Sequence, residues 1–274
     1  MALPALLLAY TAAGAPLISP EAPQVLERRI GLFGAIRVED DLEGRRYLIF
    51  GDSDIQSIVT PGKPLQLDVD YVRQSMAVLA LVPAPRRILI VGLGGGSMPM
   101  FLRRQLPFAR IDVVEIDPVV AEVARRWFGY TEDARLQTFI TDGRSFVGAE
   151  GPSYDLILLD GFTGSEVASP LAGVEFLRAV RRRLAPGGAV AANLIGVGQS
   201  FKAQVADLRA AFGDTAILSC GPAYNRIVLA TAEPGRLQDR APVVAAARAL
   251  TLPWDLASAI ESSWWSGDRA PRPR

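Results

Sequence analysis

Between Arg87 and Thr231 short apolar runs alternate with stretches whose apolar residues recur every three or four positions. The runs at 87–91, 111–115, 136–140, 154–159, 188–194, 215–219 and 225–231 have strand length and are rich in Ile, Leu and Val. The stretches at 98–105, 118–128, 143–148, 170–184 and 200–212 have the period of amphipathic helices. Strands without a polar face, alternating with helices, predict an α/β chain with a mostly parallel sheet covered on both faces. The last two strands lie close in sequence, with only Cys220-Gly221-Pro222-Ala223-Tyr224 between them, and read as an antiparallel hairpin.

Upstream the pattern shortens. From about Ile30 to Thr60 it reads as short strands and turns, with extended runs at Arg45 to Phe50 and Ile55 to Thr60 around the turn cluster Gly51-Asp52-Ser53-Asp54. Pro61-Gly62-Lys63-Pro64 breaks the chain. Asp68 to Val82 then carries Val72, Met76, Leu79 and Ala80 at helical spacing, ended by Pro83 and Pro85. The resulting division is an apolar N-terminal arm over 1–29, a small β-domain over 30–66 and an alternating α/β domain over 67–234. A C-terminal extension over 235–274 follows, with a helix expected from Pro242 to Leu250, packing roles for Trp254, Trp264 and Trp265, and a disordered Pro/Arg tail from Ala270.

Composition narrows the chemistry. The 274 residues suffice for a full core, and 29 basic residues balance 29 acidic ones, which argues against nucleic acid as the main partner. The chain has no histidine and a single cysteine, Cys220. That removes histidine bases, histidine metal ligands, Ser-His-Asp triads and intrachain disulfides together, and no metal is expected. Acid–base work falls to carboxylates, tyrosine, lysine or water. Met1 to Ala15 is apolar with a small-residue segment at Ala12 to Ala15, yet no Lys or Arg precedes it and it is too short to span a bilayer. It reads either as a surface arm or as an export signal or anchor. The expected location is the cytoplasm, with membrane association only through this stretch.

Gly92-Leu93-Gly94-Gly95-Gly96-Ser97 follows the first long strand directly, and Pro99 stands in the first turn of the next helix. About twenty residues on, Glu115 ends the second strand. A strand, a glycine turn, a helix, a strand and a terminal carboxylate form a nucleoside-binding βαβ unit: the glycines let the backbone approach, and the carboxylate accepts from both ribose hydroxyls. The loop is Gly-x-Gly-x-Gly with Ser97 in the last dinucleotide position, which suits an S-adenosyl ligand better than NAD. Asp117 reads as the cap of the following helix, with Pro118 at its first position. Asp142-Gly143 follows the third strand, where Asp142 either caps a helix or accepts the adenine amine. Asp160 ends the fourth strand, so Glu115, Asp142 and Asp160 should converge at the carboxyl edge of the sheet, with Asp155 at the opposite end.

The combination of Gly92 to Gly96, Val114-Glu115-Ile116-Asp117, Asp142-Gly143, Tyr154 to Asp160 and Leu184-Ala185-Pro186-Gly187-Gly188 resembles the spermidine synthase (polyamine aminopropyltransferase) family. Ile55-Gln56-Ser57 and Tyr71 fall where that family has its β-domain Gln and its gate-keeping Tyr. The resemblance implies a Rossmann-like class I methyltransferase fold with seven strands, a small N-terminal β-domain and a homodimer. It implies decarboxylated S-adenosylmethionine as donor and an amine as acceptor, with Asp160 taking or orienting the amine proton and Tyr71 assisting. Gln56, Gly92, Gly94, Gly96, Glu115, Ile116, Asp142 and Gly143 would bind the donor, Glu115 at the ribose and Asp142 at the adenine.

Three positions depart from the family. Ser97 replaces the Asp that binds the donor's ammonium and repels the carboxylate of intact S-adenosylmethionine. Gly161-Phe162-Thr163-Gly164 replaces a second acid and a Pro after Asp160, and Val72-Arg73 replaces His-Glu after Tyr71, with Arg73 adding the wrong sign for a polycation. The reading is therefore a divergent spermidine synthase-like transferase. Its alternatives are a methyltransferase using intact S-adenosylmethionine and a non-catalytic nucleoside-binding module. The acceptor pocket falls to loops such as Gly161 to Pro170. The arginines of 178–183, Arg103-Arg104 and Arg125-Arg126 read as solvated helix faces, and Trp127 and Phe162 as packing residues.

Overall fold

The computed structural model of the chain describes residues 23–161, 173–195, 198–220 and 225–265. The expectations placed on the N-terminal apolar segment to residue 22, on Phe162 and most of the acceptor loop, and on the C-terminal tail lie outside these residues.

The chain begins with a four-stranded antiparallel sheet, β1 (Gln24–Gly31), β2 (Gly34–Asp40), β3 (Arg46–Phe50) and β4 (Asp54–Val59), paired in chain order. Its start corrects the boundary at residue 30: β1 occupies the end of what read as the arm. Glu27, Arg28 and Arg29 break the apolar alternation there, because β1 is a largely exposed edge strand that needs no second buried face. Helix α1 (Asp70–Ser75) runs into a 3₁₀ segment, Met76–Ala80, whose residues are all buried.

The main sheet follows the alternating pattern closely. Its strands are β5 (Arg87–Val91), β6 (Arg110–Glu115), β7 (Leu136–Ile140), β8 (Tyr154–Leu159), β9 (Leu184–Ile195), β10 (Asp214–Ser219) and β11 (Asn225–Thr231). The interleaved helices are α2 (Ser97–Gln105), α3 (Pro118–Trp127), α4 (Gly143–Gly148), α5 (Val174–Arg182) and α6 (Gln199–Phe212). Across the sheet the order is β10-β11-β9-β8-β5-β6-β7, with β5 to β9 parallel and β11 antiparallel to both neighbours.

The C-terminal extension contributes α7 (Arg240–Arg248), α8 (Leu256–Ser263) and a two-residue strand, β12 (Trp264–Trp265), which pairs with β10. The sheet is therefore eight-stranded rather than seven. The two tryptophans expected only to pack also bond through their backbone to the free edge of β10.

Side chains alternate across β5. Ile88 and Ile90 join one core with α2, α3, α7, α8 and the 3₁₀ segment, while Leu89 and Val91 join the other with α4, α5 and α6. This two-sided covering is why the runs carry no polar face. A third cluster, with Ile36, Val38 and Leu48 of the small sheet against Val120 and Val123 of α3, seats that sheet on the main body. No helix among the described residues is long and apolar enough to cross a membrane.

Candidate functional site

Parallel strands put the ends of β5, β6, β7 and β8 on one edge, and the turns that leave them line a single cleft closed on its far side by the small sheet. Gln56, Tyr71, Gly92, Gly94, Glu115, Ile116, Asp142, Gly143 and Asp160 all line it. Gly96 does not. It begins α2 at φ +76° with its Cα against the Tyr130 ring, where an added Cβ would sit 2.8 Å from the ring, so its freedom serves helix entry and packing. Gly92, at φ +101°, lies on the backbone of Asp160, with an added Cβ 2.4 Å from that carbonyl oxygen. The glycine loop and the end of β8 are thus in direct contact.

Glu115 is 7% exposed and each carboxylate oxygen accepts one backbone N–H at 2.9 Å, Oε2 from Leu93 and Oε1 from Asp117. Burial raises its pKa, and the amide bonds oppose the rise. The Ile116 amide also bears on the carboxylate, which lines the cleft where a ligand hydroxyl could donate to it. Asp117 caps α3 as the sequence indicates, Oδ1 accepting from the Val119 amide at 2.9 Å. Its other oxygen accepts from the Leu32 amide at 2.6 Å, which ties the β1–β2 turn to the site. Gly31 makes that approach possible, since a Cβ there would lie 2.2 Å from Asp117 Oδ2.

Asp142 both caps and lines: its Oδ2 accepts from the Ser145 amide at 2.8 Å while the residue faces the cleft. Burial pushes its pKa up, but the Ser145 amide and hydroxyl outweigh that and leave it lowered. Asp155 lies at the opposite end of β8 and accepts from the Arg86 and Arg87 amides at 2.7 and 2.9 Å.

Asp160 stands deep in the cleft, densely surrounded, with part of its surface open to the ligand space. Oδ2 accepts from the Tyr71 hydroxyl at 3.3 Å and Oδ1 from Asn193 Nδ2 at 2.8 Å. Burial pushes its pKa to about 7 against the lowering effect of both donors. Tyr71, whose pKa burial and then the neighbouring Asp160 hold well above the ordinary phenol, stays protonated and donates. The carboxylate is therefore poised to exchange a proton near neutrality.

Three residues of the site escaped the sequence reading. Asn193 on β9 is 4% exposed and bonds Asp160, and its Oδ1 accepts from Asn225 Nδ2 at 3.0 Å. Ser57, beside Gln56 on β4, accepts the buried Gly95 amide at 2.8 Å. The available signal was Asn193, the lone polar residue of an otherwise apolar strand. Arg73 corrects an expectation: it pairs with Asp70 and donates to the Leu67 carbonyl, and it does not line the cleft. Four carboxylates, Glu115, Asp117, Asp142 and Asp160, line the described cleft, and no Lys or Arg does. Trp127 sits away from it, between Arg46 and Arg126, with its indole N–H on Glu27.

This sheet order, glycine loop and row of strand-end acids define the class I methyltransferase fold with a small antiparallel N-terminal sheet. Comparison with known proteins narrows the class. Residues 74–203 match the family described as the spermine/spermidine synthase domain. The chain is 37% identical to a polyamine aminopropyltransferase of Vibrio vulnificus over 147 residues, 53% of this chain and 49% of that protein. It is 44% identical to the mouse eEF1A lysine and N-terminal methyltransferase over 84 residues, 29% of this chain and 12% of that protein. In structure it resembles a probable spermidine synthase from Corynebacterium glutamicum, with TM-score 0.70 and 21% identity, covering 90% of this chain and 97% of that one. Over this central segment the chain is similar to the spermidine synthase (polyamine aminopropyltransferase) family, and it spans about half the length of the aminopropyltransferase relative it matches.

Proposed function

We propose that the protein is a transferase that alkylates an amine nitrogen from an S-adenosyl sulfonium donor, with Asp160 accepting the proton. One observation carries this reading: a carboxyl group with a pKa of about 7 stands in a cleft whose described lining is anionic. Such a lining favours a cationic donor and an amine acceptor over phosphates or acids. Both kinds of relative fit, since an aminopropyltransferase and a lysine and N-terminal methyltransferase are each named for amine acceptors or their products.

In the step, the neutral amine attacks a carbon bonded to the sulfonium sulfur. The N–C bond forms as the C–S bond breaks, sulfur keeps the electron pair as a thioether, and the proton passes from nitrogen to Asp160. Glu115 and Asp142 hold the nucleoside, the glycine loop admits it closely, and Tyr71 fixes the base. Positioning of sulfur, carbon and nitrogen in line supplies much of the acceleration.

Aminopropyl transfer from decarboxylated S-adenosylmethionine to a small amine, by a homodimer, is the first form of the proposal. Its support is the retained Gln56, Tyr71 and Asp160, together with a cleft that offers a donor carboxylate no described cation. Methyl transfer from intact S-adenosylmethionine is the second, favoured by Ser97, which lines the cleft where the family carries an acid. Calorimetric titration of both donors side by side tests the choice. A tenfold preference for the decarboxylated donor, about 1.4 kcal/mol, supports aminopropyl transfer, and the reverse preference overturns it in favour of methyl transfer. Binding of neither would leave the catalytic reading without a donor.

A further inference from the structure

Behind Asp160 the described residues form a directional amide chain that the family resemblance does not supply. Asn225, at the start of β11, donates through Nδ2 to Asn193 Oδ1 at 3.0 Å, and Asn193 donates through Nδ2 to Asp160 Oδ1 at 2.8 Å. An ionised carboxylate only accepts, so the amino end of Asn193 must face Asp160. Its carbonyl end must then face Asn225, which has to answer with its own amino group. The direction of each amide is set by the next one along the sheet, from β11 through β9 to β8.

We propose that Asn193, oriented by Asn225, is a positioning residue that engages Asp160 Oδ1 with a fixed N–H donor and so makes Oδ2 the oxygen that receives the proton. Among the described residues the opposite oxygen meets a hydroxyl, that of Tyr71 at 3.3 Å. A hydroxyl can reverse from donor to acceptor when the carboxyl is protonated, whereas an amide N–H cannot. The proton therefore has one favourable place to land, on the side where α1 carries Tyr71. Tyr71 is the titratable side chain bonded to Asp160. Glu115, Asp117 and Asp142 are the other charged groups of the described cleft lining, placed toward β6 and β7, while β9 and β11 present the two neutral amides.

The inference rests on the reading of Asp160 as proton acceptor, and its test does not depend on turnover. Carbon-13 NMR of protein labelled at the aspartate side-chain carboxyl, with Asp160→Asn identifying the resonance, follows the titration directly. Asn193→Ala should raise the Asp160 midpoint by about one pH unit, tenfold in proton affinity, because a donor to the charged form is lost. Asn225→Leu, at a less buried position, should move it the same way by a smaller amount, since an unanchored Asn193 can rotate. A midpoint unchanged in the folded Asn225→Leu and Asn193→Ala proteins overturns the proposal. If neither donor supports transfer to any amine while the midpoints move as stated, the amide chain stands and the transferase reading fails.

Discussion

At the scale of single residues, the cleft is governed by two carboxylates held by different kinds of partner. Glu115 has a backbone N–H on each oxygen, an arrangement that only a carboxylate accepts. Glu115→Gln would turn an amino group toward either the Leu93 or the Asp117 amide, leaving a buried donor facing a donor. Loss of about 1–3 kcal/mol of stability is expected, read by denaturant unfolding, together with at least tenfold weaker donor binding by calorimetry. Asp160 shares with Glu115 a pKa raised by burial but is met by side-chain donors, and its proton is held more tightly in the folded chain than in the unfolded one, where an aspartate titrates near 3.9. The cost of its charge is absent at acid pH, grows as pH rises from about 4 to about 7, and is complete above that. Asp160→Asn should therefore melt higher than the parent at pH 8, and the gap should close by pH 4. The same variant should lose about 10²-fold or more in transfer rate, together with the acidic limb near pH 7 in kcat/KM. A melting gap that widened on acidification would contradict the assignment, and a variant with full activity would mark the protein as a binding module.

Among the elements, the small sheet takes part in the site at two points. Ser57 on β4 accepts the Gly95 amide, and the turn after β1 gives the Leu32 amide to Asp117. Ser57→Ala would strand a buried N–H inside the glycine loop, at a cost of about 1–3 kcal/mol. Donor affinity should fall with it, and the exchange of the Gly95 amide, followed by hydrogen–deuterium NMR, should quicken. An unchanged Gly95 exchange rate would show that the small sheet does not hold the loop. These ties were not legible in the sequence, which showed the alternating core clearly. Apolar runs give β5, β6 and β8 to β11 because those strands bury both faces, whereas β7 is a largely exposed edge strand. A half-exposed edge strand such as β1, or the two-residue β12, has no such requirement and leaves no periodic trace. Glu115, Asp142 and Asp160 could be placed because strand ends in a parallel sheet share an edge. Asn193 could not, since its role depends on a neighbour across the sheet rather than along the chain. Arg73 was misjudged for a local reason, the three-residue spacing to Asp70 that lets the two pair on α1.

For the molecule as a whole, the distribution of charge matters more than its sum. The chain is formally neutral, yet the described cleft lining holds four acids and no base, while Arg73, Arg103 and Arg125 are paired elsewhere. A cation entering the cleft is favoured, and an anionic tail on the donor depends on Ser97 being uncharged. Ser97→Asp should weaken intact S-adenosylmethionine by tenfold or more relative to the decarboxylated donor, as competition calorimetry would read. Equal weakening of both donors would place the tail elsewhere. The contact between Gly92 and the Asp160 carbonyl has a consequence at this scale. The part proposed to receive the nucleoside and the part proposed to receive the proton touch backbone to backbone, with no side chain between them to act as a spring. Whatever displaces one carries the other with it, so the distance from donor to base is set like the gap between two teeth cut in the same piece of metal.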